Sequence, residues 1–294
     1  MFLRPVLLAP VAGAARARLL PRAASSVATT ELSVDYLLGE STGIVAISMN
    51  RPAAKNAISR NMLSAMAEAV ESVQFDRTVR AVIIRSLVPG AFCAGADLKE
   101  RARMKPHEVG PFVSRARGLM SQLEALPMPV IAALDGVALG GGLEMALACD
   151  LRVAAAPAKL GLVETRLAII PGAGGTQRLP RLVGAARAKE LMFTAEVLDG
   201  EQAAAIGLVE HVVPQTEAGD AAYQRAVQLA RRIVPNGPVG VRMVKRAVNM
   251  GMQTDLATAL AIEEACYAQV IPTKDRVEGL TAFKEKRVPN YTGE

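Results

Sequence analysis

The 294-residue sequence is poor in the residue types that most often build metal, disulfide and aromatic sites. It has no Trp, two His and three Cys, and aromatic residues make up only 3% of the chain. Cys93, Cys149 and Cys266 are odd in number and far apart, without a C-x-x-C pair, so neither a disulfide framework nor a zinc site is expected. His107 and His211 are more readily structural than catalytic. Carboxylates, basic side chains and backbone groups are therefore left as the candidate chemistry.

Long apolar runs are also missing. Apolar residues make up 51% of the chain, but no stretch reaches the roughly 18 uncharged residues that a membrane-spanning helix needs. We therefore expect a soluble protein with an aliphatic core and no membrane partner. The chain is long enough for one large domain, or for one domain with an appendage.

The first thirty positions contain no acidic residue. They carry four arginines spread among Ala, Leu and Ser: Arg4, Arg16, Arg18 and Arg22. This composition is typical of a mitochondrial presequence, with a disordered basic tail as the alternative, and it predicts a protein of the mitochondrial matrix. Without residues 1–30, 30 basic residues face 28 acidic ones and the formal charge falls from +6 to about +2. The charge is then weak evidence for nucleic-acid binding.

Short apolar segments alternate with helical patterns through most of the remaining chain. The predicted strands are Gly43–Ser48, Val79–Ser86, Pro129–Leu134 and Asp150–Ala154. The predicted helices between them are Ser59–Val73, Pro106–Ala125 and Gly142–Ala148. From about Gly219 the pattern is purely helical, in segments near Asp220–Val234, Pro238–Met250 and Thr254–Val270. We therefore predict an α/β core at residues 31–218 and a helical region at residues 219–294.

Three consecutive glycines separate a predicted strand from a predicted helix in Leu139-Gly-Gly-Gly-Leu-Glu144. The first N–H groups of a helix have no partner within it and carry partial positive charge. Because glycine has no side chain, a substrate carbonyl can approach these N–H groups, as an oxyanion hole requires. Glu144 lies in the first helical turn, beside such a site. Alternatively, the glycines allow tight strand–helix packing and Glu144 only stabilises the helix N-terminus.

Two further segments combine glycine with candidate functional groups. In Phe92-Cys-Ala-Gly-Ala-Asp-Leu-Lys-Glu100, the N–H of Ala96 is a second donor that could converge with the N–H of Gly141 on one carbonyl oxygen. Glu164 precedes the glycine-rich stretch Pro171–Arg178. Taken alone, Glu164 also fits a solvated loop carboxylate. Paired with Glu144, it offers the base and the acid that suit the addition of water across a conjugated carbonyl.

Together these segments resemble the enoyl-CoA hydratase/isomerase (crotonase) superfamily, from about residue 31 to residue 294. The blocks that carry the resemblance are Asn50–Pro52, Lys55–Ala57, Cys93–Lys99, Ala138–Ala146, Pro171–Leu179 and Glu278–Arg287. The resemblance implies an α/β fold, a spiral of ββα units with a helical C-terminal trimerisation region, assembled as a homotrimer or a dimer of trimers. No cofactor is expected beyond the CoA of the substrate, because hydration needs no electron carrier.

The resemblance also implies roles for individual residues. Glu144 and Glu164 would hold one water, one as base and the other delivering a proton to Cα, while Ala96 and Gly141 form the oxyanion hole. The residues expected to contact the CoA of an acyl-CoA substrate are Lys55, Ala57, Ala96, Asp97, Leu98, Lys99, Phe283 and Lys286. The last two would act at their own site or at that of a neighbouring subunit.

Four more segments are similar to a mitochondrial branch of the superfamily that hydrates 3-methylglutaconyl-CoA to 3-hydroxy-3-methylglutaryl-CoA in leucine degradation. They are Phe92–Glu100, Glu108–Val113, Glu263–Gln269 and Ile271–Arg276. This hydration is the expected reaction. There are two alternatives. One is a short-chain enoyl-CoA hydratase or isomerase of fatty-acid oxidation, and the other is an RNA-binding protein.

The branch is also associated with RNA binding through lysines on its first helix. Residues 61–76 of this chain contain acidic residues and no Lys or Arg. Because an acidic helix repels a phosphate backbone, we expect little or no RNA binding through it.

Overall fold

The computed structural model describes residues 31–294, and the predicted presequence at residues 1–30 lies outside the described residues. The strands are β1 (Leu32–Tyr36), β2 (Ile44–Met49), β3 (Ala81–Ser86), β4 (Ala91–Cys93), β5 (Val130–Leu134), β6 (Val137–Leu139), β7 (Leu151–Ala155), β8 (Leu160–Gly161) and β9 (His211–Val213). The helices are α1 (Arg60–Gln74), α2 (Leu98–Arg101), α3 (Pro106–Ala125), α4 (Gly141–Leu147), α5 (Gly175–Val183), α6 (Ala185–Thr194), α7 (Gly200–Ala205), α8 (Ala221–Ile233), α9 (Pro238–Gly251), α10 (Leu256–Val270) and α11 (Lys274–Glu285).

The strands form two sheets. The larger has the order β1-β2-β3-β5-β7-β9 and is parallel except for β1, which pairs antiparallel with β2. The smaller has the order β4-β6-β8 and is parallel throughout. Each of the successive pairs β3–β4, β5–β6 and β7–β8 gives one strand to each sheet before the chain turns into helical structure. This repeat is the expected spiral of ββα units, and the α/β prediction is confirmed.

The large sheet is buried on both faces, which explains why its strands read as continuous apolar runs. Alternate residues of β3 point to opposite faces, so Val82 and Ile84 join one core while Ala81 and Ile83 join another. The first core also contains the apolar faces of α1 and α3, and the second contains that of α8. Although α8 follows the predicted boundary at residue 219, it packs on the large sheet.

The predicted elements match the observed ones to within about two residues, and local chemistry explains the differences. For example, α10 begins at Leu256 rather than Thr254 because the Asp255 side chain accepts the Thr258 N–H at 3.1 Å and caps the helix. Helices α2, α5, α6, α7 and α11 are not among the predicted elements. Among residues 31–294, no helix combines the length and the apolar character that crossing a bilayer demands.

Candidate active site

The small sheet brings the three glycine-containing segments to one edge. Because β4, β6 and β8 are parallel, their carboxyl ends meet there, the position where open α/β sheets usually bind ligands. Residues 94–97 follow β4, Gly140 follows β6, and Glu164 comes shortly after β8. The Gly140 N–H donates to the Gly161 carbonyl at 2.9 Å and joins two of these ends. Segments far apart in the sequence therefore form one site.

The N–H groups of Ala96 and Gly141 lie close together at this edge. A Cβ atom built on Gly141 would lie 3.8 Å from the Ala96 nitrogen. Ile58 pairs with the residues on either side of Ala96: its N–H donates to the Gly95 carbonyl at 2.7 Å, and its carbonyl accepts the Asp97 N–H at 3.0 Å. This pairing turns the Ala96 N–H away from Ile58. Gly141 is the first residue of α4, so its N–H has no partner within the helix.

Two glycines allow the segments to approach each other so closely. Gly95 has φ +96°, and a Cβ there would lie 2.9 Å from the Leu139 carbonyl oxygen. A Cβ on Gly142 would lie 2.2 Å from the Cys93 carbonyl oxygen, which is closer than real Cβ contacts. The glycine run therefore allows tight packing, and the packing at Gly142 places the N–H of Gly141 close to that of Ala96; the role of the two N–H groups as an oxyanion hole stays a prediction.

Glu144 is enclosed beneath the glycine-rich loop 172–175. Its side chain is buried, and its Oε1 accepts the N–H of Ala173 at 2.8 Å and that of Gly175 at 2.7 Å. Burial raises the pKa of this carboxyl, while the two N–H donors, followed by the charges of Arg178 and Arg117, act to lower it. Glu144 therefore does more than stabilise the start of α4.

Glu164 begins a short 3₁₀ helix, Glu164–Leu167, and its carboxyl packs against the glycine run. A Cβ on Gly140 would lie 3.0 Å from Glu164 Oε1. Its Oε2 is buried and has no hydrogen-bond partner among residues 31–294. Burial, together with the smaller effect of the charge of Glu144, raises the pKa of Glu164 to about 7, although the backbone N–H of Glu164 itself acts to lower it. A buried carboxyl oxygen without a protein partner is a place for a water or a substrate proton.

Arginines hold the loop that binds Glu144. Arg117 on α3 donates through Nε to the Gly172 carbonyl at 3.0 Å. Arg178 on α5 donates through Nη1 to the Ala173 carbonyl at 3.2 Å and pairs through Nη2 with Glu124 at 2.6 Å. Sequence reasoning missed these contacts. It recognised Pro171–Arg178 as a glycine-rich block, but nothing in the block alone shows that its N–H groups meet Glu144.

The residues expected to contact CoA fall into two groups. Lys55, Leu98 and Lys99 are exposed near the Ala96 turn, and Ala57 is buried beside it. Asp97 is also there, but its carboxylate caps α2 through the N–H groups of Lys99 and Glu100 and pairs with Arg51 at 2.7 Å. Its side chain is thus already engaged, and the turn offers CoA its backbone and the exposed neighbours.

The second group lies on the last helix. Phe283 in α11 is 85% exposed, and Lys286 follows as the left-handed C-cap residue. Within residues 31–294, no hydrogen bond or ion pair joins α11 to residues 55–57 or 96–99. A contact of Phe283 and Lys286 with CoA at a neighbouring subunit's site stays a prediction.

The first helix carries one basic residue, since α1 begins at Arg60. Its guanidinium is close to the carboxylates of Glu100 and Glu108, at 3.5 Å and 3.0 Å. Beyond Arg60 the exposed charges of α1 are Glu68 and Glu71. These charges agree with the expectation of little or no RNA binding through α1, which stays a prediction.

Comparison with known proteins agrees with this geometry. A profile described as enoyl-CoA hydratase/isomerase matches residues 39–294. Methylglutaconyl-CoA hydratase, mitochondrial, of Homo sapiens is 60% identical over 264 residues, which cover 90% of this chain and 78% of that protein. Enoyl-CoA hydratase domain-containing protein 2, mitochondrial, of Mus musculus is 54% identical over 265 residues, 90% of each chain.

Solved structures are similar over the same range. The crystal structure of enoyl-CoA hydratase from Bacillus anthracis has a TM-score of 0.86 and 49% identity, covering 90% of this chain and 100% of that one. The resemblance indicated by the sequence motifs is thereby confirmed.

Proposed function

Because the chain belongs to the enoyl-CoA hydratase/isomerase family, we propose that it hydrates 3-methylglutaconyl-CoA to 3-hydroxy-3-methylglutaryl-CoA in leucine degradation. The observation that carries the reaction type is the convergence of two carboxyls, the buried Glu144 and the half-buried Glu164 with its inaccessible Oε2, beside the N–H groups of Ala96 and Gly141. The substrate is favoured by similarity to the human protein named for methylglutaconyl-CoA, over 90% of this chain.

The two N–H groups would bind the thioester oxygen. Addition of water to C3 places negative charge on this oxygen as the enolate forms, and donors already fixed in position stabilise that charge without reorganising. Losing one such donor typically costs about 3–4 kcal/mol of transition-state stabilisation. Ala96 and Gly141 come from the ends of β4 and β6, so both donors are held by the small sheet.

The surroundings of the two carboxyls favour different roles. Glu144, with two N–H donors and two nearby arginines, is the better-stabilised anion and would take a proton from the attacking water. Glu164, with its pKa raised to about 7, carries a proton in a substantial fraction of molecules at neutral pH and would deliver this proton to C2. The water oxygen bonds to C3, and the C2–C3 double bond becomes single. Glu144 gains a proton and becomes neutral, while Glu164 loses one and becomes negative.

A short-chain enoyl-CoA hydratase is the second candidate. The Bacillus anthracis structure with 49% identity bears the name enoyl-CoA hydratase, and the same four groups suit any α,β-unsaturated thioester. An isomerase would move the double bond without taking up water, so the mass of the product distinguishes it.

The remaining properties proposed for the protein follow its relatives. The human and mouse proteins are named as mitochondrial, which agrees with a matrix location for this chain. We propose an oligomer, a homotrimer or a dimer of trimers, in which Phe283 and Lys286 reach CoA at a neighbouring site. The proposed chemistry uses carboxyl and N–H groups and requires no cofactor apart from the CoA carried by the substrate.

The decisive experiment compares 3-methylglutaconyl-CoA with crotonyl-CoA, using protein without residues 1–30. We expect kcat/KM to favour the branched diacid ester and to fall about 10²–10⁴-fold in Glu144→Ala and in Glu164→Ala, because each removes a proton-transfer group. Glu71→Ala, an exposed change on α1, is the control. A preference for crotonyl-CoA would identify the second candidate, and hydration that survives both substitutions would refute the mechanism.

A further inference from the structure

The N–H of Ala96 is held by a segment that lies outside the small sheet, residues 55–58. Ile58 forms a parallel bridge with Ala96, and the Ala94 N–H donates to the Lys55 carbonyl at 3.0 Å. The segment therefore acts as a further edge strand beside β4 and occupies one side of the turn that follows it. The Ala96 N–H faces the other side, toward the start of α4. The position of residues 55–58 thus sets the direction of this N–H.

The same segment touches the second donor. A Cβ atom built on Gly141 would lie 3.1 Å from Ile58 Cδ1, so the buried Ile58 side chain packs directly against the start of α4. A shift of residues 55–58 would therefore disturb both N–H groups of the proposed oxyanion hole. It would reach the N–H of Ala96 through backbone hydrogen bonds and that of Gly141 through packing.

The backbone of this segment adopts an unfavourable conformation. Lys55 has φ +48° and Asn56 has φ +57°, and within residues 31–294 they are the only adjacent non-glycine residues with positive φ. The left-handed region is disfavoured because Cβ comes too close to backbone oxygen, although asparagine tolerates it better than most residues. Such a conformation persists where the surrounding contacts determine it. The segment therefore depends on contacts that hold it in place.

The side chain of Asn56 makes these contacts, and it is completely buried. Its Oδ1 accepts the Arg51 N–H at 2.7 Å. Its Nδ2 donates to Ser86 Oγ at 2.7 Å and to the Phe92 carbonyl at 2.9 Å, so the amide uses its oxygen and both of its N–H donors. Ser86 ends β3 in the large sheet, and Phe92 lies in β4 of the small sheet. One side chain thus fastens the segment to both sheets.

We propose that Asn56 is a positioning residue for the oxyanion hole. By binding Ser86 and Phe92 it fixes residues 55–58 beside the turn after β4, and it thereby aims the Ala96 N–H at the thioester oxygen. Asn56 meets no substrate atom in this role, because it acts through Ala96. The proposal rests on the proposed function and extends it from the donors to the residue that holds one of them in place.

Two substitutions separate the hydrogen bonds of Asn56 from its shape. Asn56→Asp keeps the size of the side chain and its tolerance of positive φ, but it places an acceptor against the Phe92 carbonyl oxygen, where a donor is needed. Asn56→Gly accepts positive φ without strain and removes all three hydrogen bonds. Ser41→Ala is the matched control. It also removes a hydrogen bond of a buried side chain, the one from Arg231 Nε at 2.8 Å, but this bond joins residues 39–41 to α8.

The direct measurement is the infrared carbonyl stretch of isotopically labelled butyryl-CoA, a saturated thioester that the site can bind but not hydrate. In the wild type, two fixed N–H donors should lower this frequency relative to free butyryl-CoA. In Asn56→Asp and Asn56→Gly the lowering should be smaller. For the better of 3-methylglutaconyl-CoA and crotonyl-CoA, kcat should fall about 10- to 100-fold, less than for the full loss of a donor. Ser41→Ala should match the wild type in both measurements.

The carbonyl frequency separates positioning from a purely structural role. If Asn56→Gly kept the wild-type frequency and kcat, the inference would be overturned, whether or not Asn56→Asp folds. A fall in kcat with the wild-type frequency would show that Asn56 only supports the fold, and would overturn it as well. A wild-type protein that hydrates neither ester would reject the proposed function, whereas the frequencies of bound butyryl-CoA would still test how Asn56 places the Ala96 N–H.

Discussion

Glu144 and Glu164 have the same side chain and lie at the same edge of the small sheet, yet their partners differ. Glu144 receives two backbone N–H groups at 2.7–2.8 Å, whereas Glu164 Oε2 has no partner among residues 31–294. A carboxylate that accepts N–H bonds is stabilised as the anion, and one that is buried without them favours its protonated form. The backbone of loop 172–175 thereby distinguishes the two groups.

At this scale we predict that Glu164→Gln stabilises the protein as the pH rises. The pKa of Glu164 is about 7 in the folded chain and 4.5 as the ordinary value. Between these pH values the unfolded chain loses the proton first, so the wild-type free energy of unfolding declines through this window and stays lower above pH 7. Because Gln carries no charge, the variant avoids this decline. Its free energy of unfolding relative to that of wild type should therefore increase by about 1–3 kcal/mol between pH 5 and pH 8.

Thermal midpoints of wild type and Glu164→Gln in buffers from pH 5 to pH 8 would measure this effect. Glu71→Gln, which changes an exposed carboxyl of α1, controls for the general loss of a negative charge. The prediction would be contradicted if the thermal midpoints of Glu164→Gln and wild type differed by the same amount at pH 5 and at pH 8.

Single residues also show how far sequence reasoning reaches. Glu144 and Glu164 could be predicted because glycine-rich runs beside acids form an unusual local pattern. The contacts of Ala173, Gly175 and Arg117 could not, since each depends on where the chain places loop 172–175 relative to a helix residue 29 to 55 positions earlier. An exposed arginine on a helix such as α3 has the same local pattern as any solvated surface charge.

At the scale of elements, the small sheet and α4 place the oxyanion donors. We predict that Gly141→Pro lowers kcat by about 10²–10³-fold, the loss expected for one oxyanion-hole donor. Proline is well tolerated at the first position of a helix, where it removes an N–H that the helix does not use. Gly141 occupies this position in α4, so the substitution removes the donor and keeps a residue type suited to the helix start.

Gly141→Ala is the matched control, because it retains the N–H and adds only a Cβ. That atom would lie 3.1 Å from Ile58 Cδ1, the end of a side chain that can shift. Steady-state rates of both variants, together with circular dichroism to show that each is folded, complete the comparison. Equal rates for Gly141→Pro and wild type would exclude this N–H from the reaction.

The elements differ in how well the sequence predicts them. Strands of the large sheet contain runs of four or five apolar residues, as in β2 and β5, and such runs are recognisable. β4 has three residues and β8 has two, too few for any periodic pattern, yet these strands align the site. The superfamily resemblance implied the spiral; alternation of strands and helices alone implied only an α/β core.

At the scale of the whole molecule, the C-terminal helices expose an unusual amount of apolar surface. Val244 and Val248 on α9 are 65% and 56% exposed, and Leu280 and Phe283 on α11 are also exposed. A cavity of about 950 Å³ lies between α9, α11 and residues 147–152, with Val244, Val248 and Leu280 in its wall. Monomeric proteins rarely leave such contiguous apolar surface in water. This surface supports the proposed oligomer.

We therefore predict that the double variant Val244→Asp with Val248→Asp dissociates the oligomer. The two residues are four apart and share one face of α9, so each carboxylate would have to be buried when another chain covers that face, at a cost of several kcal/mol. Sedimentation velocity should show the wild type as a trimer or hexamer and the variant as a smaller species. Leu38→Asp, at an exposed apolar residue between β1 and β2, should keep the wild-type mass.

Dissociation also tests how complete one chain is as an enzyme. Glu144, Glu164, Ala96 and Gly141 all lie on one chain, whereas Phe283 and Lys286 are not joined to the Ala96 turn within residues 31–294. If these two residues reach a neighbour's CoA, the dissociated variant should show a raised KM for the CoA ester while the pH dependence of kcat, set by the two carboxyls, is retained. If the dissociated variant kept the wild-type KM, all the CoA contacts would lie within one chain. If the variant kept the wild-type mass, this face of α9 would not hold the oligomer together.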